Sequence, residues 1–75
     1  MEVSYKKLWI LLIEKGLSKV RLRELADISP ATLTKLNKDE HVALSVLVRI
    51  CKCLECDIGD IMEVKYENSE IQKRR

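Results

Sequence analysis

Two helix-start signals stand eleven residues apart, and between them there is room only for one short helix and a tight turn. Ser18 is the first, a residue type whose side-chain oxygen caps free backbone N–H groups. The second is Ser29-Pro30, a cap followed by proline at the first helical position, where its missing N–H costs nothing. Asp27 and Ile28 fill the turn. The spacing predicts a helix over about Lys19–Ala26, with Leu22 and either Leu25 or Ala26 inward and Lys19, Arg21 and Arg23 outward. A further helix runs from Pro30 to about Asn37, burying Leu33 and Leu36. Two short helices joined so tightly cross steeply, which projects the second from the body. A helix so placed fits a DNA major groove, its N-terminal residues against base edges and its predecessor across the backbone. An ordinary helical hairpin in a small bundle has the same spacing.

The rest of the chain supplies a body for this pair. Ser4 can cap a helix over about Tyr5–Lys15, with Leu8, Trp9, Leu12 and Ile13 on one face. Gly16 ends it and Leu17 staples the exit. After a polar connection, Lys38–His41, a fourth helix is expected over Leu44–Leu54, burying Leu44, Leu47, Ile50, Cys51 and Leu54. Asp57 can cap a fifth, short helix holding Ile58, Ile61 and Met62. Met1, Val3 and Tyr5 share one parity, as do Met62, Val64 and Tyr66. Both stretches could be strands paired with each other, or merely irregular ends. Residues 1–67 are expected as one domain and 68–75 as a polar tail, since Asn68–Arg75 carries neither cap nor apolar period.

Seventy-five residues allow one domain, whose core must use nearly every aliphatic side chain; a hydrophobic fraction of 47% makes that feasible. The net charge of +2 says little, but its distribution is uneven. Met1–Lys52 holds ten basic and six acidic residues, while Cys53–Gln72 holds one basic and six acidic. Positive charge therefore sits on the part holding the two linked helices. Cys51, Cys53 and Cys56 are odd in number and lack the second ligand pair of a zinc site, and His41 is the only histidine. They read as reduced thiols, Cys51 packed and Cys53 exposed, in a cytoplasmic protein. No apolar stretch approaches the roughly 20 residues of a membrane span. Gly-rich phosphate loops and nucleophile–His–acid sets are lacking, so an enzyme is not indicated and no cofactor or small-molecule substrate is implied.

The ordered run Leu17-Ser18-Lys19, Leu22, Ile28-Ser29-Pro30-Ala31-Thr32-Leu33, Lys35-Leu36, then Leu44, Leu47, Ile50-Cys51, Leu54, Cys56-Asp57 and Gly59-Asp60-Ile61, resembles the Cro/repressor (XRE) helix-turn-helix family, in particular its small stand-alone members. The resemblance spans about Leu8–Met62. It implies an all-α, five-helix, lambda-repressor-like domain and a transcriptional regulator of double-stranded DNA; the end strands, if formed, would be an addition to it. Departures are Arg23 where the family often has Ala, Asp27 and Asp39 where it often has Gly, and Ala43 where a Ser often caps the fourth helix. That last change should cost roughly 1 kcal/mol.

Carried over by position, the residues facing DNA would be Pro30, Ala31, Thr32 and Lys35, with Thr34 in reserve and Ser29, which caps the helix that bears them, also counted in the DNA-binding set. Lys19 would meet a phosphate through its charge and the helix N-terminus; Ser18 and Lys38 are further phosphate candidates. Base reading would rest on Lys35, Thr32 and Thr34, with apolar contact to thymine methyls. So few readers call for two copies on two half-sites, hence a homodimer, held by the fourth and fifth helices, the rim around Val46 or the strand-like ends. A protein-interaction module, such as an antitoxin-like adaptor on the same helices, is the alternative.

Overall fold

The computed structural model describes residues 2–66, so the expected tail at Asn68–Arg75 lies outside the described residues. The element order is β1 (Val3–Ser4), α1 (Lys6–Lys15), α2 (Lys19–Ala26), α3 (Pro30–Asn37), α4 (Leu44–Leu54), a 3₁₀ turn (Ile58–Asp60) and β2 (Glu63–Val64). α2 packs against α3 and α4, and the 3₁₀ turn packs against α1 and α4. One core collects Tyr5, Leu8, Leu12, Leu22, Ala26, Ile28, Leu36, Leu47, Ile50, Leu54 and Ile61. No helix of the described residues is long and apolar enough to cross a membrane.

Local chemistry sets most boundaries. Gly16 adopts φ 70°, and its N–H and that of Leu17 close on the carbonyls that α1 leaves open. α2 and α4 also end on left-handed residues, Asp27 (φ 55°) and Glu55 (φ 55°). Ala43 starts α4 without any side-chain cap, as expected of alanine. The parity reading of the ends holds: β1 and β2 pair antiparallel, Val3 opposite Val64 and Ser4 opposite Glu63.

Several expectations are corrected. There are four α-helices, not five: Asp57 and Asp60 cap each other's backbone around a single turn, and the chain then extends into β2. α1 begins one residue later than expected, with Tyr5 at the cap position and no cap bond from its side chain. Ser4, buried in β1, still accepts the Lys6 N–H at 3.2 Å, so its hydroxyl does satisfy a free N–H at the helix start. Ile13 is 77% exposed, since the buried face of α1 is centred on Leu8 and Leu12 and leaves Trp9 half-buried. Leu44 is 65% exposed at the margin of the α4 stripe, whereas Val46, expected on an exposed rim, is only 9% exposed and belongs to the core. Leu33 is half-buried, so Leu36 alone anchors α3 fully. Ala26, not Leu25, is the inward residue of α2, and Arg23 is half-buried rather than open to solvent.

Candidate nucleic-acid interface

The α2–turn–α3 unit is set by a serine cap at the start of each helix. Ser18 Oγ accepts the Arg21 N–H at 3.0 Å. Asp27 turns the chain in the left-handed region, and the buried Ile28 sends its N–H to the Arg23 carbonyl at 3.1 Å. Ser29 Oγ accepts the Thr32 N–H at 3.1 Å and donates to Thr32 Oγ1 at 3.0 Å. Only Asp27–Ser29 separate the helices, so the crossing follows from three residues of defined geometry.

With Leu36 pinned in the core, the opposite side of α3 is bare. Pro30, Ala31, Thr34, Lys35, Asn37 and Lys38 are exposed, while Thr32 and Leu33 sit half-buried at the margins. Ala31, Thr34, Lys35 and Lys38 follow at three- and four-residue steps and form one stripe. Thr32, expected beside Lys35 on the open face, is drawn inward by its bonds to Ser29. Its hydroxyl accepts from Ser29 and keeps its own proton to donate. The Thr34 hydroxyl donates to the Pro30 carbonyl at 3.0 Å and retains only accepting capacity. Among the described residues Lys35 and Lys38 have no acidic partner, whereas Arg21 pairs with Glu24 at 3.3 Å and Lys7 with Glu63 at 3.8 Å. The stripe with its margins therefore offers two cations without an acidic partner among the described residues, the accepting Thr34 hydroxyl, the donating Thr32 hydroxyl at the edge, and the small apolar surfaces of Pro30 and Ala31.

Ser18 and Lys19, at the start of α2, are brought to the C-terminal end of α3. Lys19 Nζ donates to Asn37 Oδ1 at 2.7 Å and stands 4.1 Å above the centre of the Trp9 ring. Neither Asn37 nor Trp9 was among the residues expected at the interface. In sequence an Asn closing a short helix reads as an end signal and a Trp on an apolar face reads as core.

Chemistry of other kinds finds little here. Cys51 is buried and its thiol is pushed up to about 11, mainly by burial, while Cys53 is exposed and donates to the Leu25 carbonyl at 3.2 Å. Burial also raises Cys56. His41 faces Glu2 at 2.9 Å on the surface. Among the described residues no group of three or more His, Cys, Asp or Glu side chains is arranged to hold a metal ion.

Comparison with known proteins places this geometry. Residues 7–67 match the model of the Cro/C1-type HTH DNA-binding domain. The chain is 38% identical over 60 residues to YozG of Bacillus subtilis (strain 168), an uncharacterized HTH-type transcriptional regulator, covering 77% of this chain and 71% of that one. It also superposes on the crystal structure of the transcriptional regulator VanUg, form II, with a TM-score of 0.85 and 50% identity, covering 88% of each chain.

Proposed function

This chain belongs to the Cro/C1-type HTH DNA-binding domain family, and from that premise we infer that it is a transcriptional regulator that reads duplex DNA with α3 lying in the major groove. The observation that carries the reading is the bare stripe of α3. A helix held by one fully buried leucine and capped at its start presents Ala31, Thr34, Lys35 and Lys38 outward, with no acidic partner for either cation among the described residues. Lys35 reaches guanine O6 and N7 and Thr32 donates to an acceptor. Thr34 accepts from an adenine or cytosine amino group, and Pro30 and Ala31 pack on thymine methyls. Lys19 and Lys38 hold phosphates, aided by the N-terminal end of α2 beside Ser18, while Ser29 keeps the helix start rigid.

One such stripe covers few base pairs, so two copies bind two half-sites as a homodimer, in the compartment that holds the DNA. The relatives support a regulatory role: YozG is an uncharacterized HTH-type transcriptional regulator and VanUg a transcriptional regulator. The test is selection of binding sites from random duplex DNA, followed by gel retardation of the enriched duplex with excess competitor and by mass measurement of the complex. Enrichment of one sequence motif bound by two chains is expected. Failure to enrich any motif would overturn sequence-specific reading, and a single chain on the enriched duplex would overturn the dimer.

A further inference from the structure

Trp9, Lys19 and Asn37 come from three different helices and meet at one point. The lysine ammonium is held from two sides, by the Trp9 ring 4.1 Å below and by Asn37 Oδ1 at 2.7 Å. Exposed lysines ordinarily spread over many rotamers, and freezing one opposes any contact it makes. Here two attractions of different physical origin, ring quadrupole and hydrogen bond, fix the head group beforehand. Lysine has three donors and no acceptor, so Asn37 must turn its oxygen toward Nζ, which directs both amide hydrogens away. Asn37 is exposed at the C-terminal end of α3, three residues from Thr34 and four from the half-buried Leu33, at the edge of the bare side. The place where α2 begins and α3 ends thus presents one positive charge, two unspent ammonium donors and two amide donors.

We propose that Asn37 is itself a DNA-backbone contact, forming with Lys19 a composite clamp for one phosphodiester group, and that Trp9 is the platform that positions the ammonium. The proposal rests on the groove reading above and adds residues and a partner group to it. Two N–H-bearing groups side by side match the two non-bridging oxygens of a phosphodiester, and the N-terminal end of α2 adds positive potential behind Lys19. The C-terminal end of α3 is unfavourable to an anion, and the Lys19 ammonium lies against it.

Asn37→Asp separates contact from tethering. An aspartate would hold the Lys19 ammonium at least as well as asparagine, but it would face the phosphate with a negative charge. Binding of the intact chain to its enriched duplex and to a scrambled duplex is measured at several salt concentrations for wild type, Asn37→Ala, Asn37→Asp, Lys19→Ala and the Lys19→Ala/Asn37→Ala double variant, with melting temperatures alongside. Asn37→Ala is expected to weaken both duplexes equally, by about 3- to 10-fold, the range of one hydrogen-bonded contact. Asn37→Asp should weaken them further, and the double variant should lose less than the two single losses combined. Lys19→Ala should lower the salt slope by about one ion. Trp9 is the only tryptophan, so its emission should change on adding duplex to wild type and not to Lys19→Ala.

Wild-type binding by Asn37→Asp or Asn37→Ala, strictly additive losses, or a loss matched by a collapse in melting temperature would each overturn the clamp. If wild type binds no duplex at all, the groove reading fails and the clamp with it. If wild type binds and only the Asn37 variants are silent, the clamp alone fails.

Discussion

The backbone N–H of Tyr5 donates to the carboxylate of Asp39 across 3.0 Å of space and 34 residues of chain. The Tyr5 hydroxyl donates to the next carbonyl, Glu40, at 2.8 Å, so a buried ring is fastened at both ends to the turn that follows α3. Asp39 and Asp27 share almost the same left-handed backbone, φ 57° and φ 55°, yet glycine should act oppositely at the two. At Asp27, whose carboxylate accepts no hydrogen bond among the described residues, glycine relieves steric cost and should stabilise by up to about 1 kcal/mol. At Asp39 the relief is outweighed by the lost bond to Tyr5, for a net loss of about 1 kcal/mol. Urea unfolding of the two variants checks this, and shifts of the same sign would refute it.

Lys35 and Lys38 should separate reading from holding. Lys35→Ala is expected to cost ~1–3 kcal/mol on the enriched duplex and to relax preference at one base position. Lys38→Ala, at the residue just past the helix, should weaken all duplexes alike and reduce the salt slope by about one ion. Titrations of both variants on enriched and scrambled duplexes decide it. A parallel loss in Lys35→Ala would make that residue another phosphate contact and shift base reading to Thr32 and Thr34.

Core substitutions should rank by burial rather than by residue type. Leu36→Ala and Leu47→Ala each empty a buried site and should cost about 2–5 kcal/mol, enough to unfold a domain this small. Leu33→Ala, at a half-buried position, should cost nearer 1 kcal/mol. Thermal melts showing Leu33→Ala to be the worst of the three would mean that α3 is seated differently.

Stability should fall in alkali. The Cys51 thiol, which ordinarily ionises near pH 9.0, is pushed up to about 11 by burial first and then by Cys56, Asp57 and Asp60. Burial likewise raises Tyr5 above 10.0. The folded chain therefore holds these protons more tightly than the unfolded chain, so their contribution is whole below pH 9 and drains away as pH rises toward 11. Melting temperature should decline across that window, and Cys51→Ala should show a shallower decline from a lower start. A flat profile through pH 11 would contradict the burial of both groups.

What was legible in the sequence is what local chemistry decides. Ser18, Ser29-Pro30 and Gly16 act on N–H and C=O groups within a few residues, and the bounds of α2, α3 and α4 follow the expected ones. The alternation at Val3 and Val64 likewise foretold a strand pair, because period two is a property of each short segment. Ser4 serves the start of α1 as expected and misled only over where the helix begins, because β1 holds it in the strand pair. Leu44 and Leu33 misled because helical period marks a face without marking where the neighbouring element stops. The Lys19–Asn37 and Tyr5–Asp39 bonds join residues 18 and 34 apart, and nothing in either residue's neighbours foretells its partner. The stripe on α3 was largely readable; its support from Trp9 and Asn37 was not.

Val3 faces Val64 across a strand pair drawn from opposite ends of the described chain, which makes the order of events in folding uneven. The helices close bonds between near neighbours and form early, whereas the strand pair must close the longest loop in the fold, at an entropic cost that grows with loop length. Such a pair is little formed at the transition state, so Val64→Ala should leave the refolding rate nearly unchanged and hasten unfolding. Stopped-flow refolding and unfolding arms would show it, and a slowed refolding arm would place the strands in the nucleus instead. The small sheet then acts as a latch on an already assembled bundle, governing how long the folded protein lasts rather than how fast it forms.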